Sequence, residues 1–188
     1  MEPNDALTLS TVHFLSLAAN VEPSDYAAAS PCDDWTVADL LRHVAMGSAM
    51  ATALVNGASR DEATAFFGQA ISDNPVQECH DALAQQLETL ESVSDLDQIV
   101  HHPIGDVQVR QLIDFRISDL TVHSWDLARA IGDDEELPES LVEHVYGVFQ
   151  PLEPVIGSLG LFGDGPSGTL ESDASLQSKL LDLLGRRP

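Results

Sequence analysis

In the segment DFRISDLTVHSWDLARAIG, residues 114–132, an aspartate and a histidine stand four apart, Asp119 and His123, among residues otherwise suited to burial. A carboxylate and an imidazole are both donors to divalent first-row ions. Residues four apart on a helix lie one above the other on the same face, so the two side chains can address a single point. A third donor must come from another element, and His43, set in the apolar run LLRHVAM, is the candidate. Three protein donors of mixed nitrogen and oxygen type leave a position for water or substrate, the pattern of catalytic rather than closed structural zinc sites. On residue pattern alone two plainer readings compete: His43 as a hydrogen-bonded core histidine, and Asp119–His123 as an ordinary helical pair.

The neighbours of these residues carry paired readings of their own. Asp126, three past His123, could orient a ligand through a hydrogen bond or pair with Arg129 on the surface. Asp39, four before His43, admits the same two readings, with the surface one favoured. Trp35 and Trp125 read first as packing at a bundle end and second as pocket lining. Arg42 and Arg116 are scarce positive charges that could receive a carboxylate substrate or thiol cofactor, or form ordinary salt bridges. Cys32 reads as a small buried residue at a helix entrance rather than a nucleophile. Adjacent side chains before a proline diverge in an extended loop, so His101 and His102 of HHP receive no ligand role, nor do His13, His80 and His144.

Helical periodicity dominates the elements that must position these side chains. One helix is expected over about 5–20, capped by Asn4 or Asp5, and a second from near Trp35 to the stop signal Asn56-Gly57, capped by Asp33 or Asp34. Val37, Leu40, Leu41, Val44 and Met46 form its buried stripe. After a mixed connection with a short helix, a third runs over about 75–93 with Pro75 in its first turn. DLDQIVHHPIGDVQV reads as a loop with a short extended pair. A fourth helix spans about 108–131 and stops at Gly132. Residues 138–158 are helical in pattern but interrupted by Pro151, Pro154 and Gly157, and a Gly/Pro/Ser-rich loop leads to a short C-terminal helix. Four antiparallel helices with apolar stripes predict an all-α helix bundle, an architecture that builds sites from facing helices. A single domain over 1–188 is expected, with the bundle over about 1–158 and the loop and short helix over about 159–188.

Composition narrows the partners. Thirty-one acidic residues stand against eight Lys and Arg, a formal charge of −23, which disfavours nucleic acid and anionic lipid. The plain reading is a well-hydrated acidic surface, with adaptation to a salty cytoplasm as a minor alternative. Two cysteines, Cys32 and Cys79, in no CxxC pair, predict a reduced cytoplasmic protein without a disulfide framework. The N-terminal MEPNDALTLS lacks the pattern of a signal peptide, and no apolar run approaches a membrane span.

Two motifs resemble a known family. SPCDDWTVADLLRHVAMG is similar to the first motif, and RISDLTVHSWDLARAIG to the second, of the DinB-like superfamily that includes the N-terminal domain of mycothiol-dependent maleylpyruvate isomerase. The ending LFGDGPSG…LQSKLLDLLGRRP resembles the close of an actinobacterial branch known only as metal-binding proteins, so the resemblance covers nearly the whole chain in order. It implies a four-helix up-down-down-up bundle holding a divalent ion, zinc first and nickel second, by His43, Asp119 and His123. Where the isomerase has a glutamate this chain has Asp119, one methylene shorter, so the helices must approach more closely or the ion must sit differently. The resemblance further implies mycothiol as a thiol cofactor, activated at the open metal position for attack on a small electrophilic substrate. That branch lacks much of the isomerase's separate C-terminal domain, so maleylpyruvate itself is not the expected substrate. A metal-binding or stress-response protein without turnover is the alternative, and a structural bundle with a vestigial site is a third, weaker reading. Proteins of this kind often form homodimers, although no stripe in this chain is legible as a dimer face.

Overall fold

The computed structural model describes residues 1–68, 72–159 and 165–188. Their contacts group into two compact units, Glu2–Glu135 and Glu136–Pro188 with Met1. Gln69–Ile71 of the mixed connection and Leu161–Asp164 of the C-terminal motif lie outside the described residues.

The larger unit is built on four long helices, α1 (Pro3–Ala18), α2 (Val37–Val55), α4 (Pro75–Glu91) and α5 (Val109–Ile131), with a short α3 (Arg60–Thr64) after α2. α1 packs on α4 and α5, and α2 packs on the same two, so the four close a ring in which α1 and α2 are diagonal. Between α4 and α5 lies a hairpin of β1 (Ile99–His102) and β2 (Gly105–Gln108), paired antiparallel from Ile99 opposite Gln108 to His102 opposite Gly105. The extended pair expected there is this hairpin. The smaller unit contains α6 (Glu139–Phe149) and α7 (Leu176–Leu183), which pack on each other. Past Phe149 the chain continues in 3-10 turns at Gln150–Leu152 and Ile156–Leu159, where Pro151, Pro154 and Gly157 break the α pattern.

The ends of the helices follow from capping chemistry, with two corrections. α2 is capped not by Asp33 or Asp34 but by Thr36, whose hydroxyl accepts from the Asp39 amide at 3.2 Å. The Asp39 carboxylate in turn accepts from the Thr36 amide at 3.0 Å and from its hydroxyl at 2.6 Å. This reciprocal box satisfies donors that a helix start otherwise leaves orphaned. Asp34 instead turns the preceding loop with φ of +63°, a conformation that Asp tolerates better than most residues. α1 starts at Pro3, with Glu2 in the cap position and no side-chain cap bond, not at a cap formed by Asn4 or Asp5. Asn74 caps α4 ahead of Pro75, and Gly132, at φ +73°, ends α5 in the left-handed conformation.

Burial explains why these helices stay together. Phe14 and Leu17 of α1, Leu40, Leu41 and Val44 of α2, Cys79 and Leu83 of α4, and Leu120 and Leu127 of α5 form one apolar cluster. Each fully buried Leu or Phe contributes roughly 1.5–3 kcal/mol relative to exposure. α5 is buried nearly all round, and its inward hydroxyls are satisfied locally: Thr121 and Ser124 each donate to the carbonyl four residues back at 2.7 Å. That leaves Arg116, His123 and Asp126 as its buried ionisable groups. No helix among the described residues is long and apolar enough to cross a membrane.

Candidate functional site

α2 and α5 are packed neighbours, and their facing sides bring His43 onto Asp119 and His123. The one-turn spacing of Asp119 and His123 places His123 Nε2 3.5 Å from Asp119 Oδ1, and His43 Nε2 reaches the same oxygen at 3.2 Å. One donor atom from each of the three residues lies within 4.8 Å of the other two. The imidazoles meet edge to face with centroids 4.9 Å apart.

Each member is held from behind. His123 Nδ1 donates to Asp126 Oδ2 at 2.9 Å, and Asp126 has no solvent exposure. An ionised carboxylate can only accept, so Nδ1 keeps a proton, and when the ring is neutral the lone pair falls on Nε2, toward Asp119 and His43. The same Oδ2 accepts from the Cys32 thiol at 3.3 Å, and Cys32 Sγ is 3.9 Å from His123 Nδ1. Asp119 Oδ2 accepts from Arg116 Nη1 at 3.0 Å, which leaves Oδ1 for the imidazoles. Trp35 lies over both rings, 4.7 Å from His43 and 5.9 Å from His123 between centroids. Phe67 approaches His43 from another side at 6.3 Å, and its backbone carbonyl accepts from Arg42 Nη2 at 2.7 Å. His43 remains about 29% exposed, so the cluster opens to solvent through it. An open depression of about 350 Å³ is lined by residues of the 27–36 loop, Cys32 and Trp35 among them, and by none of the three donors.

The electrostatics couple Asp119 and His123 as a charged pair whose proton an ion would have to displace. Burial pushes the Asp119 carboxyl up, but the Arg116 guanidinium with His123 and His43 outweighs it and holds the group well below its ordinary value. Burial likewise works against a charged His123, and the charge of Asp119 with hydrogen bonds to Asp119, Asp126 and Cys32 overcomes it, raising His123 well above its ordinary value. Donors about 2.0–2.1 Å from a tetrahedral ion stand about 3.3–3.4 Å apart, and the 3.2 and 3.5 Å separations at Asp119 Oδ1 bracket that value. With the outer nitrogen of His123 bonded to a buried carboxylate, one of the partners that orient metal-bound histidines, the residues present fit a divalent ion.

A family model described as the mycothiol maleylpyruvate isomerase N-terminal domain matches residues 7–128. The chain belongs to that family. The matched span contains all three donors together with Cys32, Trp35, Arg116 and Asp126. Uncharacterized proteins from two strains of Mycobacterium tuberculosis are each 30% identical over 133 residues, covering 70% of this chain and 69% of theirs. The fold is similar to a crystal structure of the mycothiol-dependent maleylpyruvate isomerase, with a TM-score of 0.60 and 19% identity over 77% of this chain and 68% of that one. A histidine-to-alanine mutant of that enzyme matches over the same shares with a TM-score of 0.61 and 17% identity. The all-α architecture of this family member is thus the DinB-like one.

Within this DinB-like domain the neighbours sort themselves. Asp126 serves His123, and Arg129 pairs instead with Glu135 at 2.7 Å. Asp39 belongs to the α2 cap. Trp35 covers the histidines, whereas Trp125 is buried beneath the Arg129 guanidinium, 4.0 Å from its ring. Arg116, 5% exposed, is committed to protein acceptors and is not presented to an incoming anion. His101 pairs with Asp106 across the hairpin at 2.9 Å, away from the cluster. Phe67 escaped the sequence reading, since it lies in a short 3-10 turn without periodicity, and so did Gly47 and Gln86, whose part depends on a contact between helices.

Proposed function

We propose that this chain is a divalent-metal protein that uses a low-molecular-weight thiol, mycothiol, in a transferase or isomerase reaction on a small electrophile. The observation that carries the reading is the convergence of His43 Nε2, Asp119 Oδ1 and His123 Nε2 on one solvent-connected point, with His123 held in the right tautomer by Asp126. Membership of a family named for a mycothiol-dependent isomerase supports the thiol. An ion held there, zinc first and nickel as the alternative, would supply a Lewis-acidic position that lowers the pKa of a thiol.

The chain's own side chains do the rest. Asp126 keeps the Nδ1 proton on His123, and Arg116 keeps Asp119 turned toward the imidazoles. Trp35 and Phe67 flank His43 with apolar surface that limits water at the site and offers a wall to an unsaturated substrate.

Metal analysis of protein purified without an affinity tag, repeated on His43→Ala and His123→Ala, tests the reading. Near-stoichiometric metal in the wild type, lost in both variants, is expected; absence of metal from the wild type sinks it. Consumption of a generic electrophile with mycothiol, absent with glutathione and in His123→Ala, is the expected activity. Bound metal without any turnover would leave a metal-binding protein that performs no catalysis.

A further inference from the structure

Arg116 is the most heavily committed side chain near the donors. Its Nε donates to Gln86 Oε1 at 2.7 Å, Nη1 to Asp119 Oδ2 at 3.0 Å, and Nη2 to Ser48 Oγ at 3.2 Å, with the Val44 carbonyl at 3.5 Å. All three guanidinium nitrogens are engaged, on α2, α4 and α5 together. Position 47 makes room for it: a Cβ built on Gly47 would collide with Nη1 and stand 3.1 Å from Cζ. A glycine inside a helix costs about 1 kcal/mol relative to alanine. Here it clears the seat of a buried cation.

The consequence falls on Asp119. A carboxylate can offer a metal one oxygen or two, and here the oxygens are already distinguished: Oδ1 faces His43 and His123, and Oδ2 is held by Arg116. We propose that Arg116, seated against Gly47 and anchored by Gln86, is a positioning residue that makes Asp119 a one-oxygen ligand and so keeps coordination positions open for thiol and substrate. This rests on the metal reading above. The shorter reach of aspartate makes the restraint effective, since a carboxylate one bond nearer the helix has less freedom to swing its second oxygen away from the guanidinium.

Cobalt(II) is the probe, because its visible bands are intense in four-coordinate sites lacking a centre of symmetry and weaken as coordination number rises. The cobalt-loaded wild type should show the intense spectrum. Arg116→Met frees Oδ2 by removing the fork, and Gly47→Ala displaces the guanidinium while leaving every charge in place. Both should bind cobalt and show visible bands clearly weaker than the wild type's as Asp119 chelates with both oxygens. Arg116→Lys, which keeps one donor and the charge, should fall between them and the wild type. Wild-type intensity in Arg116→Met and Gly47→Ala with cobalt bound overturns the proposal. Loss of cobalt from both variants at native helix content also overturns it, because Arg116 would then be needed for the site to exist rather than for its denticity. Failure of the wild type to take up cobalt would refute the metal reading itself, an outcome separate from either of these.

Discussion

Asp126 and His123 form the closest buried ion pair of the site: Oδ2 and Nδ1 are 2.9 Å apart, and the carboxylate has no exposure to solvent. Asp126 is engaged on the Nδ1 side of His123, with Cys32, and it decides which nitrogen of the neutral ring carries the proton.

Replacing Asp126 with Ala should therefore weaken metal binding by about 10–100-fold without removing a ligand. Competition with a chelator measures it. Asp126→Asn, which keeps the shape but offers an amide that can donate as well as accept, should lie between Ala and the wild type. An unchanged affinity in Asp126→Ala would show that His123 needs no partner to fix its tautomer.

The metal-free protein should be most stable in a window bounded on both sides. His123 is held well above its ordinary 6.5, so the stability it contributes is full below 6.5 and is lost as pH rises through its folded value. Asp119 is held well below 3.8, so its contribution is full above 3.8 and is lost as pH falls through its folded value. Thermal midpoints should drop at both limits. Metal displaces the proton from His123, so apparent affinity should climb with pH over the range where His123 is still protonated. Midpoints measured across pH with and without zinc test both statements; a metal-free midpoint flat on the alkaline side counts against the His123–Asp119 pairing.

Thiol chemistry should separate the two cysteines. Burial pushes the Cys79 thiol up to about 12, and it has no exposed surface, so a thiol-specific reagent at neutral pH should leave it unmodified in the native protein. Mass mapping after labelling should find Cys79 modified only when the chain is unfolded first. Rapid native labelling at Cys79 would mean that α4 opens locally.

Thr36→Ala should cost about 1 kcal/mol, within the 0.5–2 kcal/mol typical of lost caps, read as a lower urea midpoint with an unchanged slope. Because Thr36 and Asp39 satisfy each other, the double replacement with Ala should cost less than the two single costs added together. Strict additivity would show that the box is not a reciprocal unit.

The helices and the convergence of Asp119 and His123 were legible because both rest on spacing. Leu40, Leu41 and Val44 repeat at the helical period, Asn56-Gly57 and Gly132 stop their helices, and Asp119 and His123 sit one turn apart. The α2 cap was misplaced because Asp33 and Asp34 are good caps by type; Thr36 wins because Asp39 three residues later can answer its hydroxyl. Arg116 was readable only as a nearby charge. Its burial depends on a glycine of α2 and a glutamine of α4, contacts that no local pattern announces. Phe67 reaches His43 through a 3-10 turn, with its carbonyl tied to Arg42, and such turns carry little periodic signal.

Only two tryptophans are present, and they occupy opposite circumstances. Trp35 lies over both site imidazoles, while Trp125 is shut away under Arg129. Indole emission responds to nearby protonated imidazoles and to open-shell ions, so the first ring is placed to respond to the state of the histidines. A change in indole emission on adding an open-shell ion, absent in Trp35→Phe, would therefore report from the imidazole cluster without any label attached.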